Sequence, residues 1–181
     1  KWIGDVKGSQ NPESGYVPNG APWEPCCGGG PAWGAAICVM PWEFYNSYGD
    51  KTLLADCLQP MKDLVRYYDT WRAEDGTSSF HKPTPQGAPL YWYNLSDWAP
   101  AFGLPQDELV HTFCNWLCAD ITSKAAKVLG DDAGAAAYSA KAGNPLARRK
   151  AWLHLGLGVV AGPILAEAFT RPKVMHRLAK L

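Results

Sequence analysis

The sequence predicts an all-α protein built of stacked αα-hairpins, whose long aromatic loops gather at one end and form a cleft. Three observations carry this. Apolar residues recur at three- and four-residue spacing in several separate blocks, the period of a helix with one face buried. A tight Tyr48-Gly49-Asp50 turn joins two of those blocks, as in an αα-hairpin. No stretch shows the strict apolar–polar alternation of a half-buried strand.

Taken in order, residues 1–10 finish a helix, with Trp2, Ile3 and Val6 on one face. Residues 11–31 form a loop dense in Gly and Pro, containing GYVPNGAPW and CCGGGPAWG. So long a connection inside a compact domain tends to serve a function, and Gly28-Gly29-Gly30 lets backbone approach a ligand. From Ala32 the pattern turns helical through Trp33, Ala36, Ile37, Met40, Phe44 and Tyr48, with Pro41 kinking or restarting the helix. Gly49 ends it and Asp50 caps the next helix. The stripe of that helix is Leu53, Leu54, Cys57, Leu58, Met61, Leu64, Val65 and Tyr68, bent near Pro60.

A second irregular passage, residues 74–105, interleaves five prolines and several aromatics with Asn94, Ser96 and Asp97. Pro105 opens a helix whose first turn carries Asp107 and Glu108, favourable to its dipole. It continues through Leu109, Phe113, Trp116, Leu117, Asp120 and Ile121 to a stop near Gly130, before an Ala-rich helix over 132–142. Beyond Gly143 the text becomes basic, then apolar and Gly-rich, then basic again, with a helix expected over 163–181. No repeat is visible, which argues against a regular solenoid.

Composition narrows the function classes. Lys plus Arg and Asp plus Glu both number 17, so the net charge is zero. A nucleic-acid partner, which asks for a basic face, is excluded from expectation, as is an anionic membrane surface. The longest apolar candidate, residues 153–165, is broken by Gly156, Gly158, Gly162 and Pro163 and does not reach spanning length. The chain starts at Lys1 without a leader pattern, so sequence upstream is expected to have been removed or not captured; periplasmic, secreted and cytoplasmic locations all stay open. Six cysteines are present; Cys38, Cys57, Cys114 and Cys118 sit among apolar neighbours in helical patterns and are expected to act as small buried hydrophobes. No zinc-ligand spacing occurs, so neither a metal nor any cofactor is expected.

Nine Trp, eight Tyr and five Phe are more aromatic surface than the helical stripes need. Trp23, Trp92 and Trp98 stand in the loops beside Gly, Pro, Asn and Asp, where they either line a cleft or plug the loops onto the core. Glu24 and Asp97 lie in the same loops and are the carboxylates best placed to face a cleft. His81 and His111 accompany no G-x-S-x-G nucleophile motif, and His111 on an apolar helix face is expected in the core.

The ordered set GYVPNGAPW, GGGPAWG, PWEFY, YGD, YWYNLSDWAP and LPQDELVHTF resembles the α-L-rhamnosidases of glycoside hydrolase family 78, over residues 1–142. The resemblance implies an (α/α)6 toroid, of which this chain is a part, with residues 143–181 departing as a divergent or truncated segment. It also implies inversion by a general acid and a general base standing far enough apart to admit a water. The family's general-acid motif lies upstream of Lys1, and its Trp- and Glu-containing general-base stretch has no match here. What the resemblance does carry over is a binding wall. Trp33 in GGGPAWG, with Asp97 and Trp98 in SDW, matches positions that line the family's sugar pocket; an indole face suits the methyl edge of rhamnose and a carboxylate its hydroxyls.

The expected partner is therefore a rhamnose-containing carbohydrate. The competing expectation is a helical scaffold that binds carbohydrate without turning it over. A third is a zinc-dependent toroid such as a lanthionine-type cyclase. Part of a toroid would also leave apolar helix faces uncovered, so self-association is expected.

Overall fold

The computed structural model describes residues 1–22, 30–78 and 107–143. The helix expected over 163–181 and the change of character at Gly143 lie outside these residues, apart from Gly143 itself. Six helices are described: α1 (Trp2–Ser9), α2 (Pro31–Gly34), α3 (Ala36–Tyr48), α4 (Thr52–Asp69), α5 (Asp107–Val128) and α6 (Asp132–Ala142). Among the described residues the sole β feature is one antiparallel bridge between Arg72 and Ser78. No described helix is long and apolar enough to cross a membrane.

Two antiparallel hairpins, α3/α4 and α5/α6, pack side by side, with α4 and α5 in contact and α1 lying against α3. The short turns share one end. Gly49 takes φ 73° as the left-handed cap of α3, its N–H returning to the Tyr45 carbonyl. Gly130, at φ 83°, ends α5. Lys51 ties the two turns together, its Nζ donating to the Val128 carbonyl at 3.2 Å. Asp131 caps α6, accepting from Gly134 N–H at 2.8 Å while Lys62 Nζ holds its other oxygen at 2.6 Å. Those two donors hold its carboxyl below the ordinary value of 3.8.

The core follows the predicted stripe. Leu54, Cys57, Met61, Leu64, Val65 and Tyr68 of α4 are buried against Ile37, Cys38, Val39, Cys118, Ile121 and Ala125. Each fully buried Leu, Ile or Val contributes roughly 1.5–3 kcal/mol over its exposed state. The four described cysteines are all free and buried. Burial pushes the Cys57 thiol up to about 11 and the Cys114 thiol up to about 12, as fits packing groups rather than nucleophiles. His111 is fully buried within α5, where a core histidine was expected.

Three local expectations shift. The first helix of the pair breaks at Ala35, not at Pro41, which continues inside α3. Next to that break Gly34 is closely packed: a Cβ there would stand 2.9 Å from the Tyr68 hydroxyl and 3.4 Å from the Val17 carbonyl. Asp50 stands one residue before the cap position of α4, yet its Oδ1 accepts from Thr52 N–H at 2.8 Å and satisfies the open first turn. Trp2 shares a face with Val6 but is 45% exposed, because α1 extends past the core that Val6 reaches.

Candidate functional site

The end opposite the short turns carries the feet of both long loops. The first foot begins after α1. Asn11 Oδ1 accepts from Glu13 and Ser14 N–H, closing a turn, and Gly15 follows at φ 84° with its backbone against α4. Gln10 Nε2 bridges the Gly15 and Pro60 carbonyls at 2.9 and 3.0 Å. Tyr16 is fully buried edge-on to Tyr67, the ring centroids 5.6 Å apart. Across the loop, Asn19 Oδ1 accepts from Gly30 N–H, so the residues bounding 20–29 are drawn together. Pro31 then opens α2 at its first position.

Trp33 sits on that short helix, half-buried, at this end. Tyr68 fixes the helix by donating to the Pro31 carbonyl at 2.8 Å. Burial, assisted by the neighbouring Cys118, Cys114 and Cys38 thiols, raises the Tyr68 hydroxyl well above its ordinary value and keeps it a neutral donor. Next to α2, Ala32 packs on a small cluster of Val110, Phe113 and Cys114 together with Trp116 and Leu117.

The second foot leaves α4 through a compact turn. Ala73 N–H bonds to the Thr77 carbonyl at 2.8 Å and Asp75 Oδ1 accepts from Thr77 N–H at 2.9 Å. This brings Ser78 beside α5, its N–H donating to Thr112 Oγ1 at 2.9 Å. Asn115, only 2% exposed, accepts from Arg72 Nη2 at 3.0 Å and donates from Nδ2 to Ser78 Oγ at 3.0 Å and to the Tyr68 carbonyl at 3.4 Å. Arg72 also pairs with Asp69 at 2.9 Å and reaches the Lys141 carbonyl at the end of α6 at 3.1 Å. Lys141 Nζ pairs with the second Asp69 oxygen. Arg72, Gly76, Thr112, Asn115, Trp116 and Lys141 line an open depression beside this cluster.

Of the residues expected from the sequence to line a sugar site, Trp33 is the one the structure describes. Trp23, Glu24, Trp92, Asp97 and Trp98 lie outside the described residues. The Asp69–Arg72–Asn115–Ser78 cluster was not anticipated, since its members are spread from residue 69 to residue 115. Its visible signal was Thr112 and Asn115, polar residues three apart on the buried face of α5. Chemically, this end offers an indole, a set of buried hydrogen-bonding groups and an acid, Asp69, already shared between two cations.

Comparison with known proteins gives one consistent picture. The α-L-rhamnosidase of Streptomyces avermitilis is 30% identical over 134 residues, covering 74% of this chain and 12% of its own length. That of Alteromonas sp. (strain LOR) is 36% identical over 70 residues, covering 37% of this chain and 7% of its own. Among solved structures, Streptomyces avermitilis α-L-rhamnosidase complexed with L-rhamnose matches with a TM-score of 0.65 at 24% identity, over 89% of this chain and 14% of that one. The α-L-rhamnosidase of Dictyoglumus thermophilum matches with a TM-score of 0.66 at 27% identity, over 82% of this chain and 16% of that one. The chain thus spans a small part of the proteins it matches, and its paired helices are part of their helical toroid. The family model of the bacterial alpha-L-rhamnosidase 6 hairpin glycosidase domain matches residues 1–176, and the chain belongs to that family.

Proposed function

We propose that this chain forms part of the sugar-binding wall of an inverting α-L-rhamnosidase, a glycoside hydrolase that removes terminal α-L-rhamnose from glycans or glycosides. The observation that carries the proposal is the family match over residues 1–176 together with Trp33 standing at the end where both long loops begin. A relative of the same fold is seen with L-rhamnose bound. Trp33 offers its indole face to the methyl edge of the sugar, and Trp23, Trp92 and Trp98 extend that surface, with Asp97 accepting from a ring hydroxyl. Inversion requires one carboxylic acid to protonate the leaving oxygen and one carboxylate to activate water across roughly 6.5–9.5 Å. In this proposal Asp97 and Glu24 are the carboxylates of the chain weighed for such work, and the acid/base pair is otherwise contributed by the rest of the toroid. No cofactor enters the chemistry.

A second reading, carbohydrate binding without turnover, is favoured by one observation: Asp69 is neutralised by Arg72 and Lys141, and Asp75 is spent on its own turn. Two measurements on the chain separate the readings. Hydrolysis of a chromogenic aryl α-L-rhamnoside, abolished in Asp97→Asn, establishes an active centre on this chain. Absence of turnover with L-rhamnose still quenching Trp fluorescence establishes binding alone. In either case Trp33→Ala is expected to weaken rhamnose binding about tenfold, the scale of one lost aromatic platform. Absence of both turnover and quenching would overturn the proposal.

A further inference from the structure

Tyr68 of α4 meets the hydrogen bonds of both loop feet, one directly and one through Asn115. The Tyr68 hydroxyl grips the first foot at the Pro31 carbonyl, two residues before Trp33 in α2. The Tyr68 carbonyl accepts from Asn115, which grips the second foot at Ser78. We infer that Asn115 is a positioning residue for sugar binding, holding the root of the second loop in register with the helix that bears Trp33. The inference rests on the sugar-binding proposal given above.

The chemistry of the position supports a positioning role over simple space-filling. A buried side chain at this point of α5 would stabilise the core better as Leu, because an amide must be satisfied on every side before its burial breaks even. Asn115 is satisfied by three different segments: Arg72 on the turn, Ser78 at the loop root and the backbone of Tyr68. Only a group that both donates and accepts makes this set. Arg72 is itself locked by Asp69 and by the Lys141 carbonyl, so the amide is anchored against α4 and α6 together. Ser78 is 1% exposed and has a second fixed partner in Thr112 Oγ1. A buried amide held from three sides in this way keeps one geometry, and a sugar site needs its contacting groups held within a fraction of an ångström.

The test measures L-rhamnose affinity by Trp fluorescence quenching, beside thermal unfolding, on the chain and three variants. Asn115→Leu keeps the branching of the side chain and removes all three bonds; Thr112→Val removes one acceptor from Ser78 with little change of shape; Tyr68→Phe frees the first foot alone. A positioning role predicts at least a tenfold weaker Kd in Asn115→Leu and about threefold in Thr112→Val and Tyr68→Phe, measured well below each unfolding midpoint. Should Asn115→Leu fail to fold, the other two variants decide. A lowered midpoint with Kd unchanged in the folded variants would overturn the inference while leaving the sugar-binding proposal intact. Failure of the parent chain to bind rhamnose would instead sink the proposal itself, and the inference with it.

Discussion

At Gly15 the backbone stands in a conformation that side chains rarely adopt, φ 84°, and an added Cβ would place itself 2.6 Å from the carbonyl carbon of Asp63 in α4. Two penalties coincide there, backbone strain and a clash with backbone that cannot swing aside. Gly15→Ala is expected to cost about 2–4 kcal/mol, seen as a lower denaturation midpoint. A loss under about 0.5 kcal/mol, the range of an ordinary surface change, would mean that the loop foot is not held against α4. Gly15 was legible only as one of many glycines in a loop, because what singles it out is a neighbour 48 positions along the chain. Trp33 was singled out by its motif, and the structure places it half-buried on α2. The bonds of Asn115 were not legible, because an amide on an apolar face reads as a minor defect until Arg72, Ser78 and Tyr68 surround it.

Among the elements, α6 depends most on a single residue. Its composition is rich in Ala, with few large apolar groups to bury, and among its residues only Ala135 and Ala142 are buried. Asp131 therefore matters twice, as the cap of α6 and as the partner of Lys62 on α4. Its carboxyl is held below the ordinary value, so its contribution is complete above the carboxylate range and fades as pH falls through it. Asp131→Ala is expected to lower the thermal midpoint at pH 7, and the gap to the parent chain should narrow as the pH is taken below about 4. An equal gap at pH 7 and pH 3 would contradict this account. Helix existence and pairing were legible from periodicity, and the stop at Gly130 from a single residue. The break at Ala35 was not, since Pro41 was the stronger local signal and the packing of Gly34 against Tyr68 is tertiary.

Across the whole molecule, the family assignment implies hairpins beyond those described, and α3 shows an apolar face ready for one. Met40, Phe44 and Tyr48 follow each other at four-residue spacing and are 43%, 37% and 74% exposed, with the Phe44 and Tyr48 rings 4.8 Å apart. Such a stripe is costly to leave in water. The chain on its own is expected to self-associate in gel filtration, and Phe44→Glu with Tyr48→Lys to shift it to a monomer without loss of helix content. A compact monomer at all concentrations before mutation would show that the stripe needs no cover. The all-α class and the paired-helix arrangement were legible because they follow from residue spacing alone. The gathering of loop feet at one end was an inference from alternating turn lengths, and the bonds that hold them there, Tyr68 to Pro31 and Asn115 and Thr112 to Ser78, needed coordinates.

The lysine stitch between the two short turns has a practical corollary. Because Lys51 ties the two short turns at the end away from Trp33, a tag or fluorophore grafted at Ser47 or Asn46 would report on rotation of the whole assembly while leaving the end proposed to bind sugar untouched. That makes the reverse side the natural handle for immobilising the molecule with the Trp33 end presented outward.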